Sequence, residues 1–123
     1  MQNTPFRAGP IALTNAVANL LNPGTTTGGV NCTSSPYGNL YILLYQIRVT
    51  DKGGAGGNFT LYIGATGGSA AGTEIAKSMS VNTNGEYIWS GRRRLDVADF
   101  LTGLANANTT LTIEFEGEIG ISK

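Results

Sequence analysis

Thr110-Leu111-Thr112-Ile113-Glu114-Phe115-Glu116-Gly117-Glu118-Ile119-Gly120-Ile121 alternates apolar and polar residues almost without a break. Successive side chains of an extended chain point to opposite faces, so Leu111, Ile113, Phe115, Ile119 and Ile121 share one face. Thr110, Thr112, Glu114, Glu116 and Glu118 fall on the other. This pattern is a half-buried β-strand, which needs paired neighbours and a facing apolar layer to be stable.

Runs upstream can supply both. Leu40 to Thr50 (LYILLYQIRVT) is apolar on both faces in its first half and alternates in its second. It predicts Tyr45, Ile47 and Val49 inward, with Gln46, Arg48 and Thr50 outward. Phe59 to Ile63 (FTLYI) puts Phe59, Leu61 and Ile63 on one face, and Lys52 to Gly57 reads as a flexible hairpin connection between the two strands. Glu74 to Val81 and Glu86 to Ser90 are further short strands around Asn82-Thr83-Asn84-Gly85, where Asn-Gly is a favoured turn pair. Ile11 to Leu21 fits a strand or a short helix; Asn15, Asn19 and the stop at Pro23-Gly24 favour the strand.

Residues 1–10, with Pro5 and Pro10 and little periodicity, read as an extended N-terminal arm beside a single domain spanning 11–123. Gly24 to Gly38 is polar and Gly-rich, as a surface loop is. One short helix is expected near residues 97–104. Asp96 can cap it, Asp99 suits the positive end of its dipole, and Val97, Phe100, Leu101 and Leu104 share a face. Short strands separated by Gly-rich turns make the fold class all-β, an antiparallel β-sandwich.

Composition narrows function. The chain has 123 residues, enough for one core, and equal numbers of basic and acidic residues, eight of each, so no global basic field favours nucleic acid. Charged residues are 13% of the chain, against about 25% in ordinary soluble domains. A surface so poor in charge suits cover by other copies or by another protein. There is no histidine and one cysteine, Cys32. An internal disulfide and a Cys/His zinc site are thereby excluded, and the commonest general base is missing. No cofactor or metal site is expected. The N-terminal residues lack the basic-then-apolar order of a signal peptide, and no apolar run reaches membrane-spanning length, so the expectation is a soluble chain made in a cytoplasm with no membrane partner.

No glycine cluster has the phosphate-loop pattern, and flexible turns account for them better. Asp96 with Asp99, or two of Glu114, Glu116 and Glu118, fit the residue types of a glycosidase's carboxylate pair, but an acidic row on alternate strand positions is more simply an exposed face. Such a row repels itself unless positive charge is near, and Arg92-Arg93-Arg94 is the obvious source. The pairing can lie within one subunit or reach a neighbour, where the guanidinium fork can hold a carboxylate in two bonds. A nucleic-acid patch is disfavoured because the three arginines alternate across a strand with no interleaved aromatics. Tyr37, Tyr41, Tyr45, Tyr62, Tyr87 and Trp89 offer stacking surfaces for a sugar, although most sit in strand runs where packing is their usual role. Three Asn-x-Thr triplets, at Asn31, Asn58 and Asn108, read as coincidental without a secretory signal.

Three stretches carry a resemblance: Asn58 to Gly67 (NFTLYIGATG), Trp89 to Leu101 (WSGRRRLDVADFL) and Leu111 to Gly120 (LTIEFEGEIG). Together they resemble small jelly-roll decoration (cement) proteins of tailed-bacteriophage capsids, over roughly the last two-thirds of the chain. The resemblance implies a jelly-roll-like, non-enzymatic virion protein on the capsid exterior. Such proteins commonly bind as homotrimers at local threefold positions and clamp neighbouring major capsid protein subunits. Small tail and neck proteins share similar sandwiches. Candidate interface residues from the residue pattern are Phe6 and Arg7 of the arm, Arg92, Arg93 and Arg94, and Glu114, Glu116 and Glu118. The rival readings are a carbohydrate-binding module and a small glycosidase-like enzyme.

Overall fold

The computed structural model describes residues 4–23, 26–27, 30–31, 39–96, 98–108 and 110–122. They form β1 (Thr4–Ala12), β2 (Ala18–Leu21), β3 (Thr26–Thr27), β4 (Val30–Asn31), β5 (Asn39–Asp51), β6 (Gly57–Gly64), β7 (Glu74–Val81), β8 (Glu86–Leu95), β9 (Phe100–Ala105) and β10 (Leu111–Ser122). One four-stranded sheet has the order β1-β10-β5-β8, a second has the order β2-β9-β6-β7, and β3-β4 is a two-stranded ribbon. Every pairing is antiparallel.

The sheets share one core. Ile42, Ile47, Ile113 and Phe115 from the first sheet cluster with Leu20, Phe59, Leu61 and Leu101 from the second. β10 keeps the alternation of its sequence: Leu111, Ile113 and Phe115 are fully buried and Ile119 packs against the cluster.

β5 departs from its expected pattern. Its pairing with β10 slips between Glu116 and Gly117, where Gln46 and Leu44 are the successive partners and Tyr45 is the extra residue. Such a bulge re-aims the side chain that it carries. Ile42 and Leu44 on one side of it and Ile47 and Val49 on the other still face the core, whereas Tyr45, expected inward, is 36% exposed.

Four further expectations are corrected. Residues 4–10, read as an arm, are the greater part of β1, paired with β10 from Thr4↔Ile119 to Ala12↔Thr112. Pro5 and Pro10 disguise this strand, and they are tolerated because β1 is an edge strand with one side free of ladder bonds. The segment read as one strand over Ile11 to Leu21 is split between β1 and β2 by residues 13–17.

The helix expected near 97–104 is replaced by strand β9 from Phe100 to Ala105, with Val97 outside the described residues. Asp96 and Asp99 do act as a turn signal: the Asp96 N–H donates to the Asp99 carboxylate at 2.9 Å, and the Asp99 N–H donates to the Asp96 carbonyl at 2.9 Å. The chain then enters the sheet, where Gly103 lets the strands close up. A Cβ there would lie 2.7 Å from a Leu61 methyl and 2.9 Å from the Thr60 carbonyl.

Finally, the Lys52 to Gly57 connection is no hairpin, since β5 and β6 lie in different sheets. Buried Asp51 holds this crossing by accepting the N–H groups of Gly54 and Gly56. Of the loop read over Gly24 to Gly38, only β3 and β4 fall among the described residues, and Cys32 and Tyr37 lie outside them.

Candidate functional site

The acidic row lies on the outer face of the β1-β10-β5-β8 sheet, and register shows what answers each charge. Glu114 stands opposite Arg48. The Arg48 guanidinium reaches both ways, with Nη1 3.8 Å from Glu114 and Nε 3.5 Å from Glu86. Glu116 sits between Arg7 on β1 and Gln46 on β5. Glu118, flanked by Pro5 and Leu43, accepts a hydrogen bond from the Tyr45 hydroxyl at 2.9 Å. That bond, with burial and the carboxylate charge adding to it, raises the Tyr45 pKa, so the phenol stays protonated and donating.

The arginine run is divided by strand alternation. Arg94 is opposite Leu43, its Nε 2.8 Å from Asp96 and its guanidinium 4.2 Å from the centroid of the Tyr41 ring. Arg93 is opposite Leu44 and turns to the inner side, 5.5 Å from the centroid of the Trp89 ring. Arg92 is exposed where the β5-β8 register slips beside Tyr45. Phe6 also faces inward, opposite Gly117 and against the core.

Of the eight candidates, the structure brings Arg7, Arg92, Arg94, Glu114, Glu116 and Glu118 onto one face and turns Phe6 and Arg93 away from it. Among the described residues Arg48 serves Glu114, Asp96 and Tyr41 engage Arg94, and Trp89 engages Arg93. The sequence places Arg48 outward without naming it as the partner of Glu114, and it expects Tyr45 inward, because both roles depend on strand register and on the bulge. Ile88, 45% exposed, adds one apolar side chain on the outer side of β8, opposite Arg48. The whole is a mixed-charge face with two exposed large apolar side chains, Tyr45 and Ile88.

The second sheet carries an open depression of about 210 Å³ on its outer face, lined by Asn58, Thr60, Ser78, Leu104 and Asn106 among others. Part of its polar capacity is already used, because Asn106 accepts the Asn58 N–H at 3.0 Å and Thr60 accepts the Ser78 N–H at 3.0 Å. The described residues contain no group of three or more His, Cys, Asp or Glu placed to hold a metal ion. Asp96 and Asp99 are joined in their turn, and Glu114, Glu116 and Glu118 lie along a sheet face. Neither set lines the depression. No family model, curated protein or solved structure matches the chain.

Proposed function

We propose that this chain is a jelly-roll structural protein of a tailed-phage virion, a non-enzymatic clamp on the outer capsid surface. The observation that carries the reading is the strand order. Setting aside the β3-β4 ribbon and counting the remaining strands in chain order, the sheets run 1-8-3-6 and 2-7-4-5. This order supports the jelly-roll reading, since jelly rolls pair two sheets through two Greek keys, an architecture shared by viral capsid domains and lectins. The mixed-charge outer face of the first sheet supports the capsid branch, because paired charges with exposed Tyr45 and Ile88 suit area contact with a protein.

Clamping works by mass action. A protein that binds the assembled shell and not its separated parts stabilises the shell, and many weak copies on a lattice, as trimers at local threefold positions, add their effects. Purified protein mixed with empty shells of the cognate major capsid protein should sediment with them and saturate at a fixed ratio. Recovery in the supernatant at every concentration would overturn the clamp, and binding only to tail or neck particles would move the protein along the virion.

A second reading is a carbohydrate-binding module, favoured by the polar depression on the second sheet. A glycan array separates it from the clamp, since a clamp alone retains no sugar.

A further inference from the structure

β7 and β8 are the terminal strands of their sheets and follow each other in the chain, joined by the turn at Asn82 to Gly85. They leave the turn into different sheets, so the flank carries two edges that pair with no other strand among the described residues, with a cleft between them. Its floor is Ile47 and Leu61, its walls Ile75, Ala76, Tyr87 and Trp89, and Arg93 completes the lining.

Arg93 is unlike the other arginines of this region. Arg48 and Arg94 each have a carboxylate within ion-pair distance, whereas among the described residues none lies that close to Arg93. Its Nε is buried and makes no hydrogen bond. The guanidinium rests near the Trp89 ring, which lies over Gly91 so closely that a Cβ there would be 2.8 Å from it. The strand thus gives up a side chain to let an indole lie along it towards an arginine. A cation held in an apolar cleft without a counter-charge is poorly stabilised, and an anion that reached it would be bound strongly for the same reason.

We infer that this flank docks an extended segment of another protein, which adds along the free edge of β8 and directs an acidic side chain to Arg93. The free edge supplies main-chain donors and acceptors for an added strand. The enclosed space, about 10 Å³, admits no more than a water, so the carboxylate meets the guanidinium at the mouth while its chain lies outside. One guanidinium balances one negative charge, which suits a carboxylate better than a phosphate dianion. Strand alternation then requires apolar residues two positions to either side of the acid, facing Trp89 and Ile75. The inference holds whether or not the partner is a capsid protein.

The test is selection from a random twelve-residue peptide library on the immobilised full chain. Retained peptides should share an Asp or Glu with apolar residues two positions away. A retained peptide should shift the backbone amide resonances of Glu86 to Leu95 and lose about tenfold in affinity on Arg93→Gln. Arg93→Lys, which keeps the charge without the fork, should lose less, and it serves if Arg93→Gln melts abnormally. Retained peptides without an acid, peptides bound equally by both variants, or no retained peptide at all would overturn the inference. Self-association of the protein alone that Arg93→Gln abolishes would overturn the assignment to another protein and give the cleft to a second copy.

Discussion

Gly117 and Leu43 approach backbone to backbone across the β10-β5 ladder so closely that no Cβ fits between them. A methyl on Gly117 would collide with the Leu43 carbonyl oxygen and lie 3.1 Å from the Leu44 Cα. Both are main-chain atoms, so no rotamer change relieves the contact. The bulge that exposes Tyr45 sits at this point. Gly117→Ala should therefore cost about 2–3 kcal/mol in urea unfolding. Gly64→Ala, where an added Cβ meets nothing within 4 Å, should stay within about 0.5 kcal/mol of wild type. Equal midpoints for the two variants would show that the bulge can relax.

Phe115 is fully buried, with Ala8 and Ile47 as its register partners on either side. Phe115→Ala should destabilise the fold by about 3–5 kcal/mol through the cavity it leaves. Phe115→Leu, which keeps most of the volume, should cost about 1.5 kcal/mol or less. Denaturant midpoints of both variants check the size of the difference.

Deleting residues 1–10 tests the reassignment of the arm to β1. An arm outside the domain would leave the melt unchanged when removed. The structure gives the opposite expectation, because Ala8 is buried, Phe6 packs on the core, and loss of β1 turns β10 into an edge. The truncated chain should melt at least about 10 °C lower and aggregate through the new edge. An unchanged melting temperature would return these residues to the status of an arm.

The same strand shows where reading the sequence stops. β10, the second half of β5 and β6 were legible because one face meets the core and the other does not, which writes period two into the residues themselves. β1 carries Pro5 and Pro10, and an edge strand permits what an inner strand forbids. In β9, Phe100, Leu101 and Leu104 fit a helical period, but Leu101, Thr102, Gly103 and Ala105 are all buried. A short run buried along both faces has no period to distinguish helix from strand. For the candidate face, alternation correctly separated Arg93 from Arg92 and Arg94, while the partners of the acids, Arg48 and Tyr45, followed only from register.

Asp51 ties the β5-β6 crossing to the β7-β8 turn. Its carboxylate accepts N–H bonds from Asn84 at 2.8 Å, Gly56 at 3.0 Å and Gly54 at 3.1 Å. These bonds, that from Asn84 foremost, hold its pKa below the ordinary 3.8 against an opposing contribution from burial. A carboxyl that is more acidic folded than unfolded contributes stability above its unfolded pKa and loses it as pH falls through its folded pKa. Asp51→Asn should melt lower than wild type at pH 7, and the gap should narrow below about pH 4. Glu74, also held low by backbone N–H groups of its own residue and of Gly72, leaves a residual acid slope in the variant. Melts at intervals from pH 7 to pH 2.5 check this, and parallel curves would remove Asp51 from the linkage.

The proposed shell contact predicts unequal roles for the three arginines. Arg94 is held by Asp96 and Tyr41, and Arg93 is turned to the flank cleft, whereas Arg92 is exposed on the outer face beside Tyr45. Arg92→Ala should therefore leave the melt of the free protein within about 0.5 kcal/mol of wild type and weaken co-sedimentation with shells. Its effect should be larger at low salt, because exposed charge pairs are screened over about 8–10 Å at moderate ionic strength. Arg94→Ala should cost some stability as well, since it frees Asp96 and uncovers Tyr41. Glu116→Lys, placed on the same face opposite Arg7, reverses a charge without touching the core. It should reduce shell binding too, because repulsion replaces a favourable contact at an exposed site. If Arg92→Ala and Glu116→Lys both sediment with shells like wild type at low and high salt, the outer face of the β1-β10-β5-β8 sheet is solvated, and the contact must lie on the second sheet or the flank.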